Sequence, residues 1–283
     1  MNESLLANYR MQGHRDFEYH SHQEYEIYFF HEGSCRYLIQ NKIYDLQPGD
    51  IMLMDGLELH KPNVNPNDPY VRSVVHFSPY WIKSTLEELG SMYLLEPFQK
   101  LHQCLIRTNG NSDSKRLEKI FARLTELKRK DNKNDHLIEM ELKVLLIQAL
   151  IIVYQLGQKD SMKIENRSDK TDHVENIATF IKDNYMQKLT LDKIANALNL
   201  SKSYVSHVYK EMTGFTVMEY VMGCRLTQVK YLLEMEPKKS LKDIAFECGF
   251  ESVSHFSRYF REKVGVTAKE YRNLRIQIFG KER

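Results

Sequence analysis

The stretch IAFECGFESVSHFSRYFREKVGVTAKEYR, Ile244 to Arg272, decides how this chain is organised, because most of its pattern also stands about fifty residues earlier. Leu191, Ile194, Ala195 and Leu200 recur as Leu241, Ile244, Ala245 and Phe250. After a slip of one residue, Ser201, Val205, Ser206, Tyr209, Gly214, Thr216 and Tyr220 recur as Ser252, Phe256, Ser257, Phe260, Gly265, Thr267 and Tyr271. Two copies make a duplication; a solenoid needs at least about three repeats to bury a continuous core.

Each copy predicts a short helix, a turn and a second helix. In the first, Leu191, Ile194, Ala195 and Leu198 keep helical spacing, Asn199 tolerates the left-handed backbone of a tight turn, and Ser201 can cap the second helix. Gly249 and Ser252 take those places in the second copy. The helix after each cap carries a narrow apolar stripe: Val205, Tyr209 and Met212 in one, Phe256, Phe260 and Val264 in the other. Lys202, Ser203, Ser206, His207 and Lys210 lie opposite the first stripe, and Ser254, Ser257, Arg258 and Arg261 opposite the second. Such a helix suits the major groove of DNA: serines allow close approach, Arg takes guanine bidentately and Lys neutralises phosphate. An ordinary solvated face is the bland alternative for any one of these residues. Keeping that face clear of bulky apolar groups in both copies argues against it.

On these residues the chain resembles the AraC/XylS family of bacterial transcription regulators. Ile244 to Arg272 is similar to the family's signature, and KSYVSHVYKEMTGFTVMEYVMGCRLTQVKYLL, Lys202 to Leu233, to its other half. The resemblance implies an all-α DNA-binding domain with two helix-turn-helix units. It also implies base contacts at Ser203, Ser206 and His207, then at Val253, Ser254 and Arg258. The chain departs from the family pattern at Ala268, where Pro is usual, and at Val217, which affects how the following helices start. Between the copies, Val217 to Glu234 reads as one helix of about 18 residues, roughly 27 Å long, stopped by Pro237. That length can hold two recognition helices about one DNA turn, some 34 Å, apart.

The 283 residues suffice for two domains. A net charge of +2 hides an asymmetry: from Asp172 onward 18 Lys and Arg face 14 Asp and Glu, whereas the earlier part is net acidic. The basic surplus therefore lies with the duplicated half, as phosphate binding requires. Cys35, Cys104, Cys224 and Cys248 are far apart and form no Cys-x-x-Cys pair, which reads as reduced, mostly buried thiols. The opening MNESLLANYRMQGHRDFEYH lacks an apolar signal core, and the most apolar run, Val144 to Tyr154, is too short to span a bilayer. We expect a cytoplasmic protein with no membrane contact.

Residues 17–80 read as short strands. Tyr25 to Phe30 and Cys35 to Ile39 are separated by Glu32-Gly33-Ser34, a hairpin pattern; Lys42 to Leu46, Ile51 to Met54 and Val71 to Phe77 follow. Short strands broken by Gly and Pro predict a small barrel or sandwich. The order HSHQEYEIYFFHEG, LQPGDIMLM and then Leu59-His60 resembles the cupin-like sensing domain that many members of the same family carry. The whole is thus an α+β multidomain chain, with a cupin-like β-barrel and a helical hairpin ahead of the all-α domain.

His20, His22 and Glu26 share parity, so on one continuous strand they face one way, and a later strand can bring His60 beside them. With His76, they are the residues we expect to contact an effector. Imidazoles and a carboxylate also suit a divalent ion. The spacing departs from the metal-binding pattern before His20 and after His60, so no metal and no cofactor are expected. A metal-dependent cupin enzyme using these residues is the alternative function, and it leaves the duplicated half unexplained. A constitutive architectural DNA-binding protein is a further one, expected to show little sequence preference.

Trp81 to Leu105 turns helical, Asn109 to Ser114 reads as a polar loop, and Leu117 to Lys130 and Leu137 to Leu156 read as an αα-hairpin. The second of these helices is apolar nearly all round: Leu137, Met140, Val144, Ile147 and Ile151 form one line, Leu142, Leu145, Ala149, Ile152 and Leu156 another. A helix apolar all round is covered on more than one side, and one stripe is free to pack on a second copy. From Gly157, GQKDSMKIENRSDKT is polar and aromatic-free and reads as a linker. The chain thus divides into an effector-binding and dimerisation domain, 1–157, a linker, 158–171, and a DNA-binding domain, 172–283, in which Asp172 caps a helix through Tyr185. The expected partners are double-stranded DNA, a small effector such as a sugar or related metabolite, a second copy of the chain and, for an activator, RNA polymerase.

Overall fold

Four consecutive residues, Glu26, Ile27, Tyr28 and Phe29, are all buried although neighbours in a strand point to opposite faces, so their strand lies between two layers. It is β2 (Tyr25–Gly33), the middle of a five-stranded sheet with β1 (Leu5–Gln12) and β7 (Tyr70–Phe77) on one side and β5 (Asp50–Met54) and β8 (Leu105–Arg107) on the other. A second sheet holds β4 (Lys42–Leu46), β3 (Cys35–Ile39) and β6 (His60–Val64) in that order. The structure is a computed structural model that describes residues 4–13, 24–39, 41–55, 60–99, 105–130, 135–159 and 168–279. Two compact units result, Met1–Leu38 with Tyr44–Arg167, and Ile39–Ile43 with Ser168–Arg283.

Ile27 and Phe29 face the helices. They share one core with Leu5, Ile51, Val75 and Phe77, with α1 (Pro79–Glu88) and α2 (Glu96–Gln99), and with the hairpin α3 (Ser112–Lys130) and α4 (His136–Lys159). Glu26 and Tyr28 take the other parity and line a cavity with Tyr37 of β3 and His60 of β6. The Glu32-Gly33-Ser34 turn does not close a hairpin, contrary to expectation. It carries the chain from one sheet to the other, and a Cβ on Gly33 (φ 114°) would collide with the Pro69 carbonyl oxygen. Strands β1, β6 and β8 are not apparent from the sequence pattern. β1 alternates cleanly only at its start and then bulges between Asn8 and Met11, where Arg10 adopts φ 48°.

The all-round apolar character of α4 separates into two faces. Leu142, Leu146, Ala149, Leu150, Ile152, Val153 and Leu156 are buried, while Leu137, Met140, Val144 and Ile151 remain exposed. No helix among the described residues is long and apolar enough to cross a membrane.

Several boundaries differ from those expected from sequence. The expected loop to Ser114 ends earlier, because Asn111 Oδ1 accepts the Ser114 N–H at 2.8 Å and α3 starts at Ser112. α4 runs through Gly157 to Lys159, into the expected linker. α5 (Asp169–Asn184) is capped by Ser168, whose hydroxyl accepts the Thr171 N–H, and not by Asp172. What is left of the linker, residues 160–167, lies outside the described residues. The helices α6 (Leu191–Ala197) and α7 (Lys202–Thr213) form the first copy and α9 (Leu241–Glu247) and α10 (Val253–Val264) the second. The 19-residue α8 (Val217–Met235) joins them, and α11 (Ala268–Phe279) comes last.

Thr216 and Glu219 cap each other's backbone at the start of α8, and Thr267 and Glu270 do the same ahead of α11. This reciprocal capping box fixes the start of each helix without a proline at Val217 or Ala268. Ala268, free of a bulky side chain, is buried in the core of the second copy.

Candidate nucleic-acid interface and effector pocket

Both copies build their turns as the local sequence dictates. Asn199 (φ 54°) and Gly249 (φ 86°) take the left-handed turn. Ser201 Oγ then accepts the Tyr204 N–H and Ser252 Oγ the His255 N–H, each at 3.2 Å. Both recognition helices end on a left-handed glycine, Gly214 and Gly265, whose N–H bonds back to Lys210 and Arg261.

Burial separates the two faces. Val205, Val208, Tyr209 and Met212 of α7 and Phe256 and Phe260 of α10 are buried, and Val264 is half-buried. Lys202, Ser203, Ser206, His207 and Lys210 are all exposed, and with Leu191 and Glu211 they line an open groove of about 810 Å³. On α10, Ser254, Ser257, Arg258 and Arg261 are exposed and Val253 is half-buried at the first turn. His255, which sequence reasoning missed, is exposed on the same helix, beside the Phe250 and Tyr259 rings.

Charge is distributed unevenly over these helices. Lys202 Nζ donates to Asp192 Oδ2 at 2.8 Å, and Glu211 faces His207 Nδ1 at 3.6 Å. Among the described residues, no carboxylate pairs with Lys210 or Arg258, so both cations are available to an anionic partner.

In the N-terminal unit, register decides what meets. Glu26 of β2 lies directly opposite His76 of β7, which in turn lies opposite Leu6 of β1. His60 arrives from the other sheet, so that one carboxylate oxygen, Glu26 Oε2, faces His60 Nε2 at 3.3 Å and His76 Nε2 at 3.2 Å. Glu26 and His60 are buried. The cavity beside them measures about 120 Å³ and is also lined by Asn8, Tyr28, Tyr37 and Arg72. The Tyr28 hydroxyl donates to Tyr70 Oη at 3.0 Å, and the Arg72 guanidinium lies 4.3 Å from the centre of the Tyr70 ring. Burial raises the Tyr28, Tyr37 and Tyr70 hydroxyls well above their usual range, so all three are neutral donors. His20 and His22 lie outside the described residues. No group of three or more His, Cys, Asp or Glu among the described residues is arranged to hold a metal ion.

A second polar cluster has the distances of a serine–histidine–carboxylate triad. Ser73 Oγ is 2.6 Å from His31 Nε2, and His31 Nδ1 is 2.8 Å from Glu118 Oε1. Ser73 is fully buried, however, and its oxygen already accepts the Arg10 N–H at 2.9 Å. Burial and the Arg10 guanidinium hold the His31 ring down to about 4. A neutral ring that donates to Glu118 and accepts from Ser73 satisfies every group and secures the bulge of β1. No substrate reaches this serine.

Comparison with known proteins agrees with the geometry. Residues 194–274 match the family model "Helix-turn-helix domain", and residues 7–146 the model "AraC-like ligand binding domain". The Msm operon regulatory protein of Streptococcus mutans is 26% identical over 88% of this chain and 84% of its own. The transcriptional activator RhaS of Escherichia coli is 22% identical over 92% and 89%. Among solved structures, the C-terminal domain of the response regulator yesN from Fusobacterium nucleatum covers 36% of this chain and 98% of its own, at 29% identity and a TM-score of 0.34. The metal-dependent enzyme alternative finds no support among the matched families and these relatives. With both of its halves matched in this order, the chain belongs to the AraC/XylS family of DNA-binding transcription regulators and carries that family's ligand-binding domain.

Proposed function

We propose that α7 and α10 read base pairs in successive major grooves. Ser203, Ser206 and His207 act for the first helix and Val253, Ser254 and Arg258 for the second, with Lys202, Lys210, Ser257 and Arg261 on the phosphates. The observation that carries this is the shared exposure of one polar face in both copies while the stripes behind them are buried. Selection of bound sequences from a random duplex library with the full chain tests it. Two conserved half-elements about one turn apart are expected, with affinity falling steeply as salt rises. Binding spread evenly over sequences would overturn it.

The signal that sets this binding is a small polar effector, a sugar or related metabolite, in the N-terminal cavity. Glu26, His60 and His76 contact it, and His20 and His22 remain candidates for the same role. The cavity is small beside the ~300–1,000 Å³ of pockets for drug-sized ligands, which favours a compact, hydroxyl-rich molecule. A panel of sugars should include one that raises the melting temperature of the parent and leaves Glu26→Gln unchanged. A panel without effect, or an equal shift in the variant, counts against this site.

The exposed stripe of α4 packs on a second copy. Leu137, Met140, Val144 and Ile151 are 76%, 63%, 53% and 40% exposed, more than a single soluble chain gains from showing water along one helix. Because Val144 and Ile151 are exposed in the chain itself, Val144→Glu with Ile151→Glu should leave the fold intact and dissociate the dimer in sedimentation. An equally dimeric variant removes α4 from the interface. The regulator works in the cytoplasm, and for activation RNA polymerase is its further partner.

A further inference from the structure

The two recognition helices can read a fixed half-element spacing only if something holds the two copies at a fixed separation. α8 connects them but does not by itself set the rotation of one about the other. Arg225, in the middle of α8, is only 8% exposed. Its Nε donates to the Tyr185 carbonyl at 2.8 Å and its Nη2 to the Gln187 carbonyl at 2.9 Å, at the point where α5 gives way to the first copy. The turn of the second copy rests on the same spot. A Cβ built on Gly249 would stand 2.7 Å from the Tyr185 oxygen, 2.8 Å from the Met186 oxygen and 3.0 Å from Arg225 Nε. An exposed ion pair, Lys188 Nζ to Glu251 Oε1 at 3.1 Å, crosses the same seam. α5 packs on α7, and the 249 turn leads directly into α10.

We infer that Arg225 is a positioning residue for DNA reading, a strut that fixes the separation of α7 and α10 by tying the segment before the first copy to the turn of the second. The inference rests on the two-helix reading proposed above. The planar fork of arginine reaches the two carbonyls from two separate, fixed nitrogens, whereas lysine gathers its donors on one atom at the end of a flexible stem. Arg225→Lys therefore keeps the buried charge and most of the bulk but loses one of the two ties.

The test is a spacing series. Starting from the duplex selected by the full-length parent, the half-elements are moved by one base pair in either direction, which shifts one by ~3.4 Å and turns it by ~35°. For the parent, that displacement should weaken binding about tenfold or more, the size of a lost base-pair contact. For Arg225→Lys the same displacement should weaken it about threefold or less. Gly249→Ala, which presses on the Tyr185 and Met186 carbonyls, should flatten the profile likewise. A merely structural arginine gives the opposite result: variants weaker at every spacing by one common factor, with the parent's preference intact, and that overturns the strut. A parent that selects a single half-element overturns the two-helix reading beneath it, an outcome visible before any variant is made.

Discussion

The two helix-turn-helix copies have the same pattern and different surroundings. At the first turn Asn199 is exposed and its flanking Leu198 and Leu200 are half-buried; at the second, Cys248 and Phe250 are buried and Gly249 lies on the Tyr185 and Met186 carbonyls. Both positions need a left-handed residue, yet only one of them also forbids a side chain. The first turn is a free corner and the second is a joint. The exposed faces differ as well: hydroxyls and an imidazole are joined by two lysines on α7 and by two arginines on α10. Duplication thus preserved the local device while packing and chemistry divided the work.

Substituting the two turn residues should give the largest contrast. Gly249→Ala adds backbone strain and a collision with two carbonyl oxygens that cannot move independently, and it should cost about 3 kcal/mol or more. Asn199→Ala meets only the left-handed penalty of ~1–2 kcal/mol. Hydrogen exchange of the α9 and α10 amides, set against those of α6 and α7, measures both, and equal losses would erase the distinction between corner and joint. It also separates the two units, which a single melting curve does not.

Specificity should divide next. Arg258→Ala is expected to cost about 1–3 kcal/mol and to relax preference at one base pair, because its fork can engage guanine O6 and N7 together. Lys210→Ala should weaken all sequences alike and shallow the salt slope by about one. Even loss across sequences for Arg258→Ala would reduce α10 to a phosphate clamp and make the copies alike.

The smallest effect should also be the most symmetrical. Ser201→Ala and Ser252→Ala each remove a side-chain acceptor from an exposed N-cap at the same 3.2 Å distance, so each should cost ~1 kcal/mol. A clear inequality would show that tertiary packing reaches even the caps.

Much of the C-terminal unit can be read directly from the residues because its determinants are local. A cap, a left-handed residue and an apolar stripe act within three or four positions of one another. The Thr-x-x-Glu boxes at Thr216 and Thr267 are equally local and are legible from that spacing. The N-terminal strands are harder to place. A strand buried on both faces, as β2 is, loses the alternation that marks its inward side, and the turn at Gly33 has the composition of a hairpin whether or not the flanking strands pair.

By itself, the sequence determined the duplication, both recognition helices with their exposed polar residues, the family, and the all-round apolar character of α4. Tertiary structure alone decided which stripe of α4 stays exposed and that Glu26 lies opposite His76 with His60 brought in from the other sheet. It alone shows that Arg225 and Gly249 meet over the Tyr185 carbonyl. The reason is range: helix and cap interactions are set by neighbours along the chain, whereas these contacts join residues tens of positions apart through sheet register and packing, which no local pattern encodes.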